Sequence, residues 1–181
     1  MKAFIFDTET TGLIKNRSRS LDDQPEVIEF FGHLYDLKKD KPIKEFETLI
    51  KPSKFPMTDQ IIKDTKTKLS NDMLKDAPSF AEVAPNIKKL IEAGPTDIAH
   101  NFAFDKGMLE VEFERLGQTI AWPKYLCTIE QTMHIKGFRL NLTRLHEHLF
   151  DGQSFSDAHR ARSDVDALTR CCVKLYQQGC F

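Results

Sequence analysis

The sequence has no apolar run long enough to cross a membrane, and its first apolar stretch, residues 1–6, meets Asp7 too early for a secretory leader. Cysteine is scarce. The four residues Cys127, Cys171, Cys172 and Cys180 form no CxxC pair, and two of them are adjacent. A disulfide framework is therefore disfavoured, and reduced thiols in a cytoplasmic setting are expected. A basic surplus is missing too: 26 Lys and Arg stand against 27 Asp and Glu, a net charge of −1. That removes the simplest compositional argument for phosphate-backbone binding. Internal repeats and low-complexity tracts are also absent. What remains is 181 residues, 40% hydrophobic and 29% charged, enough for one domain (residues 1–181) with a substantial core.

Residues 2–6 (KAFIF) predict a short buried strand. Residues 15–24 (KNRSRSLDDQ) are polar and read as a mobile, solvated insertion carrying Lys15, Arg17 and Arg19. Aromatic and branched residues recur over 27–37 and 43–50, predicting two strands joined as a hairpin around KKDKP. Phe80, Val83, Ile87, Leu90 and Ile91 have helical spacing, preceded by Pro78-Ser79 and ended by Gly94-Pro95. A strand near 97–100, a helix over 103–116 and a final helix over 163–176 complete the pattern. Strands first, then helices mixed with strands, predict an α/β fold with a mixed central sheet flanked by helices.

Four acids and one histidine hold the chemistry. Asp7 and Glu9, in FDTETTG, are two residues apart at a strand end, so period-two geometry puts both carboxylates on one face. Carboxylates at the lip of a buried strand need a compensating partner. Asp105, in AHNFAFD, opens a helix. There it could serve the helix dipole alone, but His100, Asn101, Phe102 and Phe104 surround it with polar and aromatic groups able to meet a nucleobase. His159 and Asp164 are five residues apart, which within one helix would splay them by roughly 140°. They converge only if His159 precedes the helix. Ser163 and Asp166 fit a capping box that would start it, leaving Asp164 in the first turn and His159 on a movable segment suited to proton transfer.

FDTETTG, HNFAFD and H-x4-D, in this order, resemble the three motifs of the DEDDh (DnaQ-like) 3′–5′ exonuclease family. Its members include proofreading subunits of bacterial DNA polymerase III, RNase T and oligoribonuclease. The resemblance covers residues 4 to about 170, with PSFAEV and CTIEQT as weaker matches between. It implies a ribonuclease-H-like fold and two Mg²⁺ ions, for which Mn²⁺ can substitute. By motif position Asp7 would bridge both ions, Glu9 and Asp164 would ligate the first, and Asp105 would support the second. His159 would deprotonate the attacking water. Thr10, Thr11 and Gly12 would contact the terminal nucleotide, with His100, Asn101 and Phe104 completing the substrate site. Oxygen-rich ligand sets suit hard cations, and loading two of them would add roughly four positive charges, inverting the local field. The acidic balance therefore does not oppose a nuclease.

The resemblance implies release of 5′-mononucleotides from a nucleic acid with a free 3′ end, single-stranded or frayed DNA first, in replication or repair. An RNA-directed exoribonuclease is the alternative, and a non-catalytic nucleic-acid-binding module is a third reading. A DNA polymerase would be the protein partner of a proofreader. The chain ends at Phe181, just past the last expected helix, so a polymerase is expected to dock on the globular surface. Arg160 and Arg162 are open to two readings, phosphate binding or plain solvent exposure.

Overall fold

A computed structural model describes residues 1–16, 18–156 and 158–181; Arg17, part of the expected basic insertion, lies outside them. The strands are β1 (Lys2–Thr10), β2 (Val27–Asp36), β3 (Lys41–Leu49), β4 (Asp97–Ala99) and β5 (Tyr125–Cys127). The helices are α1 (Asp59–Thr65), α2 (Asn71–Leu74), α3 (Phe80–Ala93), α4 (Phe102–Arg115), α5 (Thr128–Lys136), α6 (Leu142–Leu149) and α7 (Ala161–Gln177). The strands form one mixed sheet in the order β3-β2-β1-β4-β5. β1–β2 and β2–β3 are antiparallel, β1–β4 and β4–β5 parallel.

Alternation along β1 sorts the core into two layers. Phe4 and Phe6 stack with Phe30 and pack beneath α3 and α4. Ala3 and Ile5 face the other way, toward Val165, Leu168 and Cys172 of α7. Gly32 is required where β2 passes the first layer, because a Cβ there would lie 2.5 Å from the Phe4 ring. β3 closes one edge of the sheet, and its Lys41, Pro42, Lys44, Glu45 and Glu47 leave that edge charged and mostly exposed.

The expected hairpin, the helix over the Phe80 stripe and the closing helix are all present. At α3, Glu82 accepts hydrogen bonds from both the backbone N–H and the hydroxyl of Ser79, at 2.8 and 2.7 Å. α7 differs from expectation: it begins at Ala161, two residues before Ser163. The cap comes from across the molecule, since the Glu29 carboxylate on β2 accepts from the Ala161 amide at 3.0 Å. The insertion at residues 15–24 also differs from the mobile loop expected. The Gln24 side chain accepts from the Lys15 amide and donates to the Asn16 carbonyl. Arg115 of α4 donates to the carbonyls of Leu21, Gln24 and Pro25, and Glu112 holds Arg115 at 3.0 Å.

β4 carries an oddity. Asp97 is fully buried, and neither carboxyl oxygen has a hydrogen-bond partner among the described residues. Burial pushes its carboxyl up to about 8. The folded protein thus holds a proton there that the unfolded chain, with an ordinary aspartate near 4, has already lost, and this contribution to stability falls as pH rises from about 4 to 8. Asp97→Asn should therefore flatten the pH dependence of stability. The loss between pH 5 and 8 should shrink by up to about 4 kcal/mol relative to the parent, read from urea midpoints at the two pH values. Parallel pH profiles would show that Asp97 ionises freely.

Candidate active site

The site forms where β1 outruns its neighbour. β4 pairs with β1 only at Phe4 and Ile5, so among the described residues no strand lies beside that β1 edge from Asp7 onward. Asp105, two per cent exposed in the first turn of α4, fills that edge. Its Oδ1 accepts from the Thr8 amide at 3.1 Å and the Thr8 hydroxyl at 2.7 Å, leaving Oδ2 outside both bonds. Thr8 belongs to the α4 face of β1, whereas Asp7 and Glu9 belong to the α7 face. α7 completes that side: carboxylate oxygens of Asp7, Glu9 and Asp164 all lie within 4.8 Å of one another. The sheet thus delivers two acids, and the helices on its two faces deliver one each.

His159 lies outside α7, as convergence with Asp164 demanded. Its backbone is left-handed, φ 69°, and its amide donates to Asp164 Oδ2 at 3.1 Å. Asp7, Glu9, Asp105, His159 and Asp164 line one cavity of about 730 Å³. So do Thr10, Thr11, Gly12, His100, Asn101 and Phe104, the full set expected to meet substrate. Most of these are already engaged: the Thr10 hydroxyl donates to the Gly12 carbonyl at 2.8 Å, and Arg139 donates to Asn101 Oδ1 at 2.9 Å. The Thr11 amide donates to the Glu26 carbonyl at 2.9 Å. The His100 ring bonds the Thr128 hydroxyl and the Leu140 carbonyl through its two nitrogens, so it pins the segment before α6 against the cavity wall. Burial lowers that imidazole to about 4, keeping it neutral.

Other residues of the site escape sequence reasoning. Leu13 stands at the rim and is 78% exposed; Ile61, Asp64 and Thr65 of α1 form a further wall. Glu29 lies opposite Glu9 on β2, fully buried. Arg160 grips it through Nε at 3.1 Å and Nη2 at 2.8 Å. Its one sequence signal is a charge inside the apolar run VIEFFG. Arg162 is also occupied, bonding Glu47 and Glu45 of β3 at 2.8 and 3.2 Å. Both arginines that were open to phosphate binding are therefore held by protein carboxylates.

The electrostatics of the carboxylate cluster oppose its own ionisation. Burial first, then Asp105, Asp164 and Glu9, push the Asp7 carboxyl well above the usual range. Burial and the Asp164 charge raise Glu9 to about 8. Burial raises Asp105 to about 7 against the two Thr8 bonds, and Asp164 to about 6 against the His159 amide. Carboxylates crowded this way repel one another until positive charge arrives. An all-oxygen set of this kind fits a hard divalent cation.

Comparison with known proteins agrees with this geometry. The exonuclease family model RNase_T matches residues 4–171. The chain belongs to the DEDDh exonucleases. These DnaQ-like 3′–5′ hydrolases use divalent metal, and the carboxylate cluster answers that need. Among sequence relatives is the PolC-type DNA polymerase III of Staphylococcus haemolyticus, 29% identical over 176 residues. That of Staphylococcus aureus strain RF122 is 28% identical. The match takes in 96% of this chain and spans only 11% of the length of those polymerases. Among solved structures, the nuclease domain of 3′hExo bound to rAMP superposes with a TM-score of 0.79 at 15% identity. The alignment covers 99% of this chain and 93% of that one. The E. coli ExoI–ssDNA complex superposes at 0.73 and 18% identity, over 98% of this chain and 41% of that one. The sheet and its flanking helices are thus ribonuclease-H-like, as the motifs implied.

Two outcomes test the exonuclease site. Raised carboxylate values mean that the metal-free protein loses stability as pH climbs from about 4 to 8, so Mg²⁺ at pH 8 should raise Tm by several degrees. Asp7→Asn should raise the metal-free Tm and abolish most of the Mg²⁺ increment; an unchanged increment would place the cation elsewhere. Arg160→Met strands the buried Glu29 charge and should lower stability by about 3 kcal/mol, with Glu29→Leu in the same chain restoring most of it. Urea midpoints of the single and double variants decide the point.

Proposed function

We propose that residues 1–181 act as one exonuclease domain that removes 5′-mononucleotides from the 3′ ends of single-stranded or frayed DNA, in replication or repair. The convergence of Asp7, Glu9, Asp105, His159 and Asp164 on one open cavity carries this reading. Asp7, Glu9 and Asp164 would hold one cation, and Asp7 with Asp105 would hold a second. A pair of Mg²⁺ ions, or Mn²⁺, would offset charge on the attacking and leaving oxygens. His159, exposed on its pre-helical segment, accepts the proton of the attacking water. Its amide bond to Asp164 keeps base and metal ligand in register. Phe104, Asn101 and exposed Leu13 contact the terminal nucleotide, with Gly12 beside it.

The sequence relatives are DNA polymerases, which favours DNA as substrate and makes a DNA polymerase the implied protein partner. The likeness to 3′hExo bound to rAMP supports a second reading, trimming of RNA. With Mg²⁺, a 5′-labelled single-stranded DNA should shorten stepwise from its 3′ end, and EDTA should stop it. His159→Ala should lower kcat by about 10²–10⁴ with KM little changed. Faster turnover of the matched RNA would replace the DNA reading. Tight binding without turnover in Mg²⁺ or Mn²⁺ would leave only a non-catalytic binding module.

A further inference from the structure

α4 stands between two cavities. Asn101, Phe104 and Asp105 face the catalytic one, while Ala103, Lys106, Gly107 and Glu110 line a second of about 360 Å³. The other wall divides in the same way, Leu13 lining the first and Ile14 the second. The two cavities therefore adjoin at residues 13–14 and at the start of α4.

The second cavity has an aromatic floor with a cation over it. Tyr125 stacks on Phe102 with ring centroids 4.4 Å apart and planes 4° from parallel. That buried ring holds it rigidly, yet 49% of Tyr125 remains exposed. Lys106 Nζ lies 5.7 Å from the Tyr125 centroid and 6.0 Å from that of Trp122. An exposed, pre-oriented ring beside an ammonium is how proteins hold single strands without regard to sequence: the ring stacks a base and the cation meets a phosphate. Along α4, residues 103 to 110 span about 10 Å at 1.5 Å per residue, enough for more than one nucleotide. Glu110, 3.8 Å from Lys106, and Glu130 temper the positive charge, so stacking must outweigh charge in this groove.

We propose that this groove binds the single-stranded nucleic acid immediately 5′ of the terminal nucleotide, with Tyr125 stacking a base and Lys106 contacting a phosphate. The assignment rests on the exonuclease reading of the adjoining cavity. It makes Tyr125 a determinant of affinity for strands that extend past that cavity, with no part in bond cleavage.

Two substrates separate the groove from the catalytic cavity: a 5′-labelled oligothymidylate long enough to fill both, and thymidine 5′-(p-nitrophenyl phosphate), which ends before the groove. Tyr125→Ala should raise KM about tenfold for the oligonucleotide and leave its kcat in place. The ratio of kcat/KM between oligonucleotide and ester should fall by the same factor, and Tyr125→Phe, which keeps the ring, should restore it. Lys106→Gln should reduce the slope of log KM against log salt by about one. An unchanged oligonucleotide KM, or an equal loss on both substrates, would overturn the groove. If the unmodified protein hydrolyses neither substrate, the exonuclease reading fails. Fluorescence-anisotropy titration of the oligonucleotide then judges the groove alone, and affinity indifferent to Tyr125→Ala rejects it.

Discussion

One buried carboxylate organises the catalytic half of the molecule. Glu29 sits in the middle strand of the antiparallel layer, level with Glu9, and binds both the guanidinium of Arg160 and the first amide of α7. An isolated charge there would be prohibitive, so its partners are compulsory. Because those partners immediately follow His159 and precede Asp164, satisfying Glu29 sets where α7 begins, which turn carries Asp164 and where the chain must leave the helical path. The position of the proposed base is thus a by-product of satisfying a carboxylate on β2.

A second constraint works against the first. Glu29 is paired with Arg160, but burial raises the proton affinity of Asp7, Glu9, Asp105 and Asp164, and at Asp7 and Glu9 the charges of Asp105 and Asp164 add to it. Arg160 and Arg162 bond Glu29 and the β3 glutamates, and the charge of Arg160 offsets only part of the upward push on Glu9. The paired arginines therefore support the scaffold and leave the acids poised for metal.

Much of this was legible in sequence because it depends on short-range periodicity. Two-residue spacing placed Asp7 and Glu9 on one face, and the Phe80 stripe located α3. The impossibility of helical convergence put His159 before α7. What was hidden depends on contacts distant in the chain. Ser163 looked like the cap of α7, but a glutamate 132 residues away took that place. The polar 15–24 insertion looked mobile because it has no apolar pattern; Gln24 within it and Arg115, some 90 residues on, hold it by hydrogen bonds. β5 has three residues, too few for a pattern, and α1 and α2 are nearly as short. Asp105 depended on resemblance, since its decisive partner Thr8 is 97 residues away.

Asn101 and His159, on opposite sides of the catalytic cavity, both hold left-handed backbones, with φ of 71° and 69°. Such conformations favour glycine, and a side chain there costs about 1 kcal/mol. Glycine at either position would relieve that strain but remove a side chain that lines the cavity. The same left-handed backbone recurs at Asp40, Lys66 and Asp151, which do not line the cavity, so this strain is spread over the molecule.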